Sequence, residues 1–226
     1  MLELLYGPGG RKASSVTGPG PQAIIKGDLT AGYYGLVTPT EFINGTALAT
    51  AIGLSSGTVQ NSDLPWFKFS SQGKTLFIPQ RTFRHTVSWV DVYLRGAVYG
   101  TNTTGRVNAG TPVIQNRTVT INGLVYKVRL MTGDATDPGT RHGGEWNQLF
   151  IPLTDTTWGS YVNSDFGATS SQTGSITWCQ ETKDGTPYLA QRRGWGGVAT
   201  TATYYTDISY KDGSNVGWRP VLELVN

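Results

Sequence analysis

Apolar and polar positions alternate along much of this chain, and only short stretches show helical spacing. The sharpest run is Thr118–Leu130, in which Asn122-Gly123 separates two alternating segments. Asn-Gly supplies the two left-handed positions of a tight hairpin turn. The alternation places Leu124, Tyr126, Val128 and Leu130 on one face and Val125, Lys127 and Arg129 on the other. Two more hairpins are predicted, Trp66-Phe67-Lys68-Phe69 with Thr75-Leu76-Phe77-Ile78 across Ser-Ser-Gln-Gly, and Ile176–Glu181 with Pro187–Arg192 across Asp184-Gly185. The final run, Gly217–Asn226, reads as a closing strand. Pro220 has no N–H to donate, so that strand enters its sheet near an edge or at its first residue. Trp218 needs a pocket, and Arg219 is expected to order a local set of carboxylates or carbonyls.

Helical signals are short. Thr38-Pro39-Thr40-Glu41 has the form of a capping box. Thr46 is placed to cap a helix through Leu48, Ala49 and Ile52 that ends at Gly53. Ser88 opens a turn with Trp89, Val92 and Tyr93 on one side, and Gly143–Leu153 predicts a helix with Trp146, Leu149 and Phe150 inward. Residues 1–27 have too much Gly and Pro for a regular element and read as an extended arm. Its apolar start, Leu2, Leu4, Leu5 and Tyr6, suits docking onto another subunit. Residues 28–60 read as a short helical connector and 61–226 as the main domain. The fold class is α+β and β-rich, with hairpins, short helices and long loops.

Composition agrees with that class, because 30 Gly and 11 Pro among 226 residues make a turn-rich chain. A net charge of +3 without a dense basic stripe argues against nucleic-acid binding. The single cysteine, Cys179, excludes an intramolecular disulfide. No apolar stretch approaches a membrane span, and no charged-then-apolar leader is visible, so synthesis in a cytoplasm without export by that route is expected.

Candidate chemistry is sparse. The only histidines are His85 and His142, and Cys179 sits mid-strand where a buried, inert thiol is expected. Zinc ligation lacks Cys and His ligands. Asp134, Asp137 and Glu145 share a Gly-rich stretch, but their spacing does not match the helix–loop–helix calcium pattern, so a metal is left open. No cofactor is implied. Five of the seven Trp lie after residue 140 among Gly, Thr, Ser and Asn. Trp158, Tyr161, Trp195, Tyr204 and Tyr205 are therefore the candidate recognition surface, with core packing as the alternative for each.

Several motifs in order carry a resemblance. They are Glu145-Trp146-Asn147-Gln148-Leu149, Trp178-Cys179-Gln180-Glu181, Arg193-Gly194 and Gly217-Trp218-Arg219-Pro220-Val221-Leu222-Glu223-Leu224. Together with Tyr6-Gly7-Pro8-Gly9, Thr30–Gly35 and Gly96–Gly100, they look like tailed-bacteriophage virion structural proteins. The C-terminal pattern is also similar to C-type-lectin-like domains and the sulfatase-modifying fold, in which the first and last strands pair. The resemblance implies a non-enzymatic virion component in a tail, baseplate, collar, fibre or capsid decoration. It would be docked through its arm to other virion proteins and form a homo-oligomer, with a host-surface glycan or protein as candidate ligand. The formylglycine-generating cysteine pair and the calcium-lectin triplets are missing, so neither activity carries over. A glycan-acting enzyme or a free carbohydrate-binding module on the same scaffold is the alternative.

Overall fold

A computed structural model describes residues 17–106, 110–137, 143–169, 173–200, 204–211 and 214–225. In chain order its elements are β1 (Lys26–Gly27), β2 (Ala31–Val37), α1 (Gly45–Ile52), β3 (Thr58–Val59), β4 (Trp66–Ser71), β5 (Lys74–Pro79), β6 (Arg84–His85) and α2 (Trp89–Tyr93). There follow β7 (Thr118–Ile121), β8 (Leu124–Leu130), a π-helical turn (Trp146–Phe150), α3 (Ile151–Thr154), β9 (Ile176–Lys183) and β10 (Thr186–Arg193). The chain closes with β11 (Tyr204–Asp207), β12 (Val216–Trp218) and β13 (Pro220–Leu224). Among the described residues no helix is long and apolar enough to cross a membrane.

The strands form two sheets, seven strands in the order β1-β2-β4-β5-β13-β8-β7 and six in the order β11-β10-β9-β12-β6-β3. All three expected hairpins are present. The first two turn on left-handed pairs, Gln72 with Gly73 and Asn122 with Gly123, the last at φ +79°, whereas in the third only Gly185 is left-handed. Pro220 is the first residue of β13, where its missing N–H is tolerated. The strand itself is central, between β5 and β8. The expected pairing of first and last strands is not found among the described residues, since β1 and β2 are separated from β13 by β4 and β5.

Two helix signals differ from the structure, the Thr38 box and the Thr46 cap. Ser88 and Asp91 form a reciprocal capping box that opens α2. Thr38 and Glu41 make the same contacts around a turn with no helix behind it. Helix α1 is capped by Asn44, whose side chain accepts from the Ala47 N–H at 2.8 Å, while the expected cap Thr46 is already helical and bonds to Ser62. Asn44 wins because its backbone is extended, which a capping residue requires.

The seven-stranded sheet is buried on both faces, which explains the unbroken burial of β4 and β13. One face packs against the six-stranded sheet, α1 and α2 through Trp66, Phe77, Tyr126, Leu222, Trp178 and Trp218. The other carries Phe67, Phe69, Ile78 and Val221 beneath Trp146, Phe150 and Phe166. Strand β2 pairs with β4, and Leu48 and Ile52 of α1 enter the first core.

Leu2, Leu4, Leu5 and Tyr6 lie outside the described residues. The described part of the Gly/Pro stretch, from Thr17 onward, wraps Lys68. Its ammonium donates to Thr17 Oγ1 and to the carbonyls of Gly18, Pro19 and Pro21, and it stands 5.1 Å from the Tyr34 ring centre. Burial pulls the Lys68 amine down to about 8. The four oxygens and the ring face favour the charged form, so the segment is held to the sheet as a cation cage.

Candidate functional site

A buried polar face is built where the two sheets meet. On β9, Thr177, Cys179 and Glu181 alternate onto one side, and Gln191 and Arg193 of β10 join them, Arg193 lying directly opposite Thr177. Arg219 is the one residue between β12 and β13, where the chain leaves one sheet for the other. All six side chains are buried. Their cover is the loop after β8 and the π-helical turn. Gly133 approaches so closely that a β-carbon there would stand 2.5 Å from Gln191 Oε1 and 2.8 Å from Cys179 Sγ. Met131 makes an isolated bridge to Cys179, and Glu181 accepts from the Gly133 N–H at 3.0 Å.

Two guanidiniums meet on Trp146. Arg193 lies 5.7 Å and Arg219 5.8 Å from its ring, and Arg219 is also 5.2 Å from Phe150. Arg193 donates to Gly133 O at 2.8 Å and to Asn147 Oδ1 at 2.7 Å, and Arg219 donates to Phe166 O. The expectation for Arg219 thus resolves to a carbonyl. Burial lowers both guanidiniums, Arg219 to about 9. Burial also lifts the Cys179 thiol well above its ordinary value and pushes the Glu181 carboxyl up to about 8. Near neutral pH the face therefore holds a thiol and a carboxylic acid, sealed from solvent. That combination suits packing better than nucleophilic attack.

The seven-stranded sheet carries a second charged group, on β8 and β13. Arg129 of β8 grips both Glu145 oxygens, at 2.8 and 2.5 Å, and reaches Glu223 of β13 at 3.0 Å. Lys74 adds a 2.8 Å bond to Glu223. Burial opposes the charge on Arg129, but Glu145 and then Glu223 outweigh it and hold the guanidinium above its ordinary range. Burial likewise raises Glu223, and Arg129 and Lys74 outweigh that and hold it low. Above this network opens a polar cleft of about 320 Å³ lined by Lys74, Lys127, Tyr99, Thr132 and Gln180. Glu145 and Glu223 line it too. Both are committed to Arg129, whereas acid–base hydrolysis of a glycoside needs a carboxyl free to exchange its proton.

The five aromatic candidates separate. Trp158 is 7% exposed and packs in the second core. Tyr161 shares a 2.6 Å hydroxyl contact with Tyr33 and sits 5.0 Å from the Phe67 ring, pinning its loop to the sheet. Trp195 and Tyr204 come together at the end of the β10–β11 ladder with ring centres 6.5 Å apart, and the Arg192 guanidinium lies 6.0 Å from Tyr204. Tyr204 is 37% exposed. Tyr205 is the next residue of β11, opposite Gln191, and its side chain alternates to the other face. Sequence reasoning missed Arg192 as a member of this group. The signal was its position two residues before Gly194 on the strand that β11 must join.

Metal and nucleophile signals resolve similarly. Among the described residues no three His, Cys, Asp or Glu side chains are placed to hold a metal ion. Asp137 accepts from Thr182, and Glu145 is held by Arg129. Gly53-Leu54-Ser55-Ser56-Gly57 fits the Gly-x-Ser-x-Gly pattern, but it leads from α1 into β3, the reverse of the strand-to-helix turn that exposes a nucleophile. Its carbonyls accept from Arg84, Ser56 helps to hold the Asp91 carboxyl low, and His85 Nδ1 contacts Thr86. In comparisons with known proteins, the chain matches no family model, no curated protein and no solved structure.

Proposed function

We propose that this chain is a non-enzymatic structural component of a tailed-phage virion, displaying a lectin-like β-rich domain that attaches to a host-surface glycan or protein. The observation that carries the attachment reading is the Trp195–Tyr204–Arg192 group at the end of β10 and β11. Tyr204 and Arg192 on paired strands, with Trp195 in the turn after β10 set edge-on to Tyr204, give an aromatic, polar-edged surface that sugars and peptides dock on. The virion reading rests on the order of the resemblance motifs. In the fold those motifs meet, as Trp146 and Asn147 hold Arg193 and Trp146 also stacks on Arg219. They act as a frame, which is what a display scaffold shares across different surfaces.

The experiment has two arms. Mass spectrometry of purified particles asks whether the chain is part of a virion, and its absence from particles ends that reading. Host-cell binding of the wild-type chain is compared with Trp195→Ala/Tyr204→Ala. A tenfold or greater loss of binding, with melting temperature nearly unchanged, is expected. Equal binding would assign the aromatic group to structure alone.

A further inference from the structure

The buried polar face contains more positive charge and more donors than its described neighbours satisfy. Arg193 and Arg219 are fully buried. Among the described residues, nothing accepts a hydrogen bond from Arg193 Nε or from Arg219 Nε and Nη1. The hydroxyls of Ser175 and Thr177 and the Gln191 amide on the same face are likewise without partners. These groups line one face. Arg193 lies opposite Thr177 across the β9–β10 ladder, both guanidiniums stand over Trp146, and both act electrostatically on the Cys179 thiol.

Counter-charge is short. The groups acting on Arg219 are Cys179, held as a neutral thiol, and Arg81, a third guanidinium. Arg81 itself donates to the carbonyls of Ser164 and Asp165. On Arg193 the acidic neighbours are Asp134 and Glu181, and Glu181 is kept protonated near neutral pH. Among the described residues no carboxylate acts on Arg219, and the acids acting on Arg193 are Asp134 and the protonated Glu181. Burying an unpaired guanidinium with open N–H groups is costly, and folded proteins meet that cost with a counter-ion.

We infer that Arg193 and Arg219, with the Thr177 hydroxyl, form an internal site for a small monovalent inorganic anion of the halide class. The ion accepts from Arg219 Nε and Nη1 and from Arg193 Nε, and Thr177 supplies a neutral donor. Trp146, Phe150 and Phe166 close the site with apolar walls, so an entering ion must leave its water behind. A singly charged halide does this at far lower cost than a doubly charged oxyanion. The ion would be captured during folding and would join the six-stranded sheet to the π-helical turn. This inference is independent of the attachment reading.

The test uses the full chain. Melting is followed in increasing bromide or chloride, against the sodium salt of a bulky organic anion at matched ionic strength. Bromide-grown crystals are measured at the bromine absorption edge. The expected result is a melting temperature that rises by about 4 °C per tenfold increase in halide above its dissociation constant, with an anomalous peak in contact with Arg219 Nε. Arg219→Met should abolish the halide response. Thr177→Val, which keeps shape and loses one donor, should weaken it about fivefold, and it serves as the readout if Arg219→Met does not fold. Equal melting in halide and bulky-anion salts overturns the inference. So do bromide peaks confined to surface lysines, or ordered water at all three guanidinium nitrogens.

Discussion

Arg129 and Arg219 are both buried, 6% and 0% exposed, and both are anchored next to β13. Their surroundings are opposite. Arg129 is clasped by two carboxylates from distant segments and is held more firmly charged than in water. Among the described residues Arg219 has one carbonyl, two ring faces and no carboxylate, and burial pulls it down to about 9. The difference is architectural. Arg129 ties the end of the sheet to the start of the π-helical turn, as a saturated ion network does. Arg219 sits where the chain switches sheets, and its charge is left for something else to balance.

The largest test removes the saturated partner. Arg129→Met leaves Glu145 and Glu223 without their guanidinium, and a broken buried pair costs about 3–5 kcal/mol. Chemical denaturation should show a loss of that size, and adding Glu145→Gln should recover part of it, because the stranded charge is then gone. Additive losses would show that the network is not coupled. A pH-dependent effect of comparable size comes from Glu181, which acts on Arg193 on the unsaturated side. Its folded value near 8 lies above its unfolded 4.5, so its contribution is full below about pH 4.5 and is lost as pH rises through 8. Stability should fall across that window by up to about 5 kcal/mol, the whole shift at about 1.4 kcal/mol per pH unit. Glu181→Gln should flatten the curve. An unchanged profile would mean that Glu181 already ionises in the fold and is itself a counter-charge to Arg193.

The same contrast shows what the sequence could convey. Hairpin turns were legible because Asn122-Gly123 and Gln72-Gly73 encode their own geometry. The Ser88 cap was legible for the same reason, being a contact over three residues. Arg129 reaches Glu223 across 94 positions, and no local pattern announces such a pair. Of the face formed by Thr177, Cys179 and Glu181, the sequence conveys only the burial of Cys179. The face is buried because the Gly133 loop and the Trp146 turn close over it, and that cover is set by tertiary packing alone. Trp158 and Tyr161 misled in the opposite direction. Their Gly/Ser/Asn surroundings are loop-like, yet their rings fill the second core, since a loop crossing a sheet face needs large side chains to hold it down. Trp195 and Tyr204 share that composition and stay at the rim because β11 is an edge strand.

The smallest expected effect is the most discriminating. Arg219→Met should change stability by less than about 1 kcal/mol in the bulky-anion salt, because an apolar side chain of similar length replaces an uncompensated charge against Trp146 and Phe150. The lost bond to Phe166 O and the lost ring contacts work against the variant, while the removed desolvation cost works for it. In halide the two proteins should diverge, since only the wild type gains from the ion. A loss as large as that of Arg129→Met in both salts would show that Arg219 is as fully paired as Arg129. The contrast between the two arginines would then disappear, and with it the reason to place an anion between the sheets.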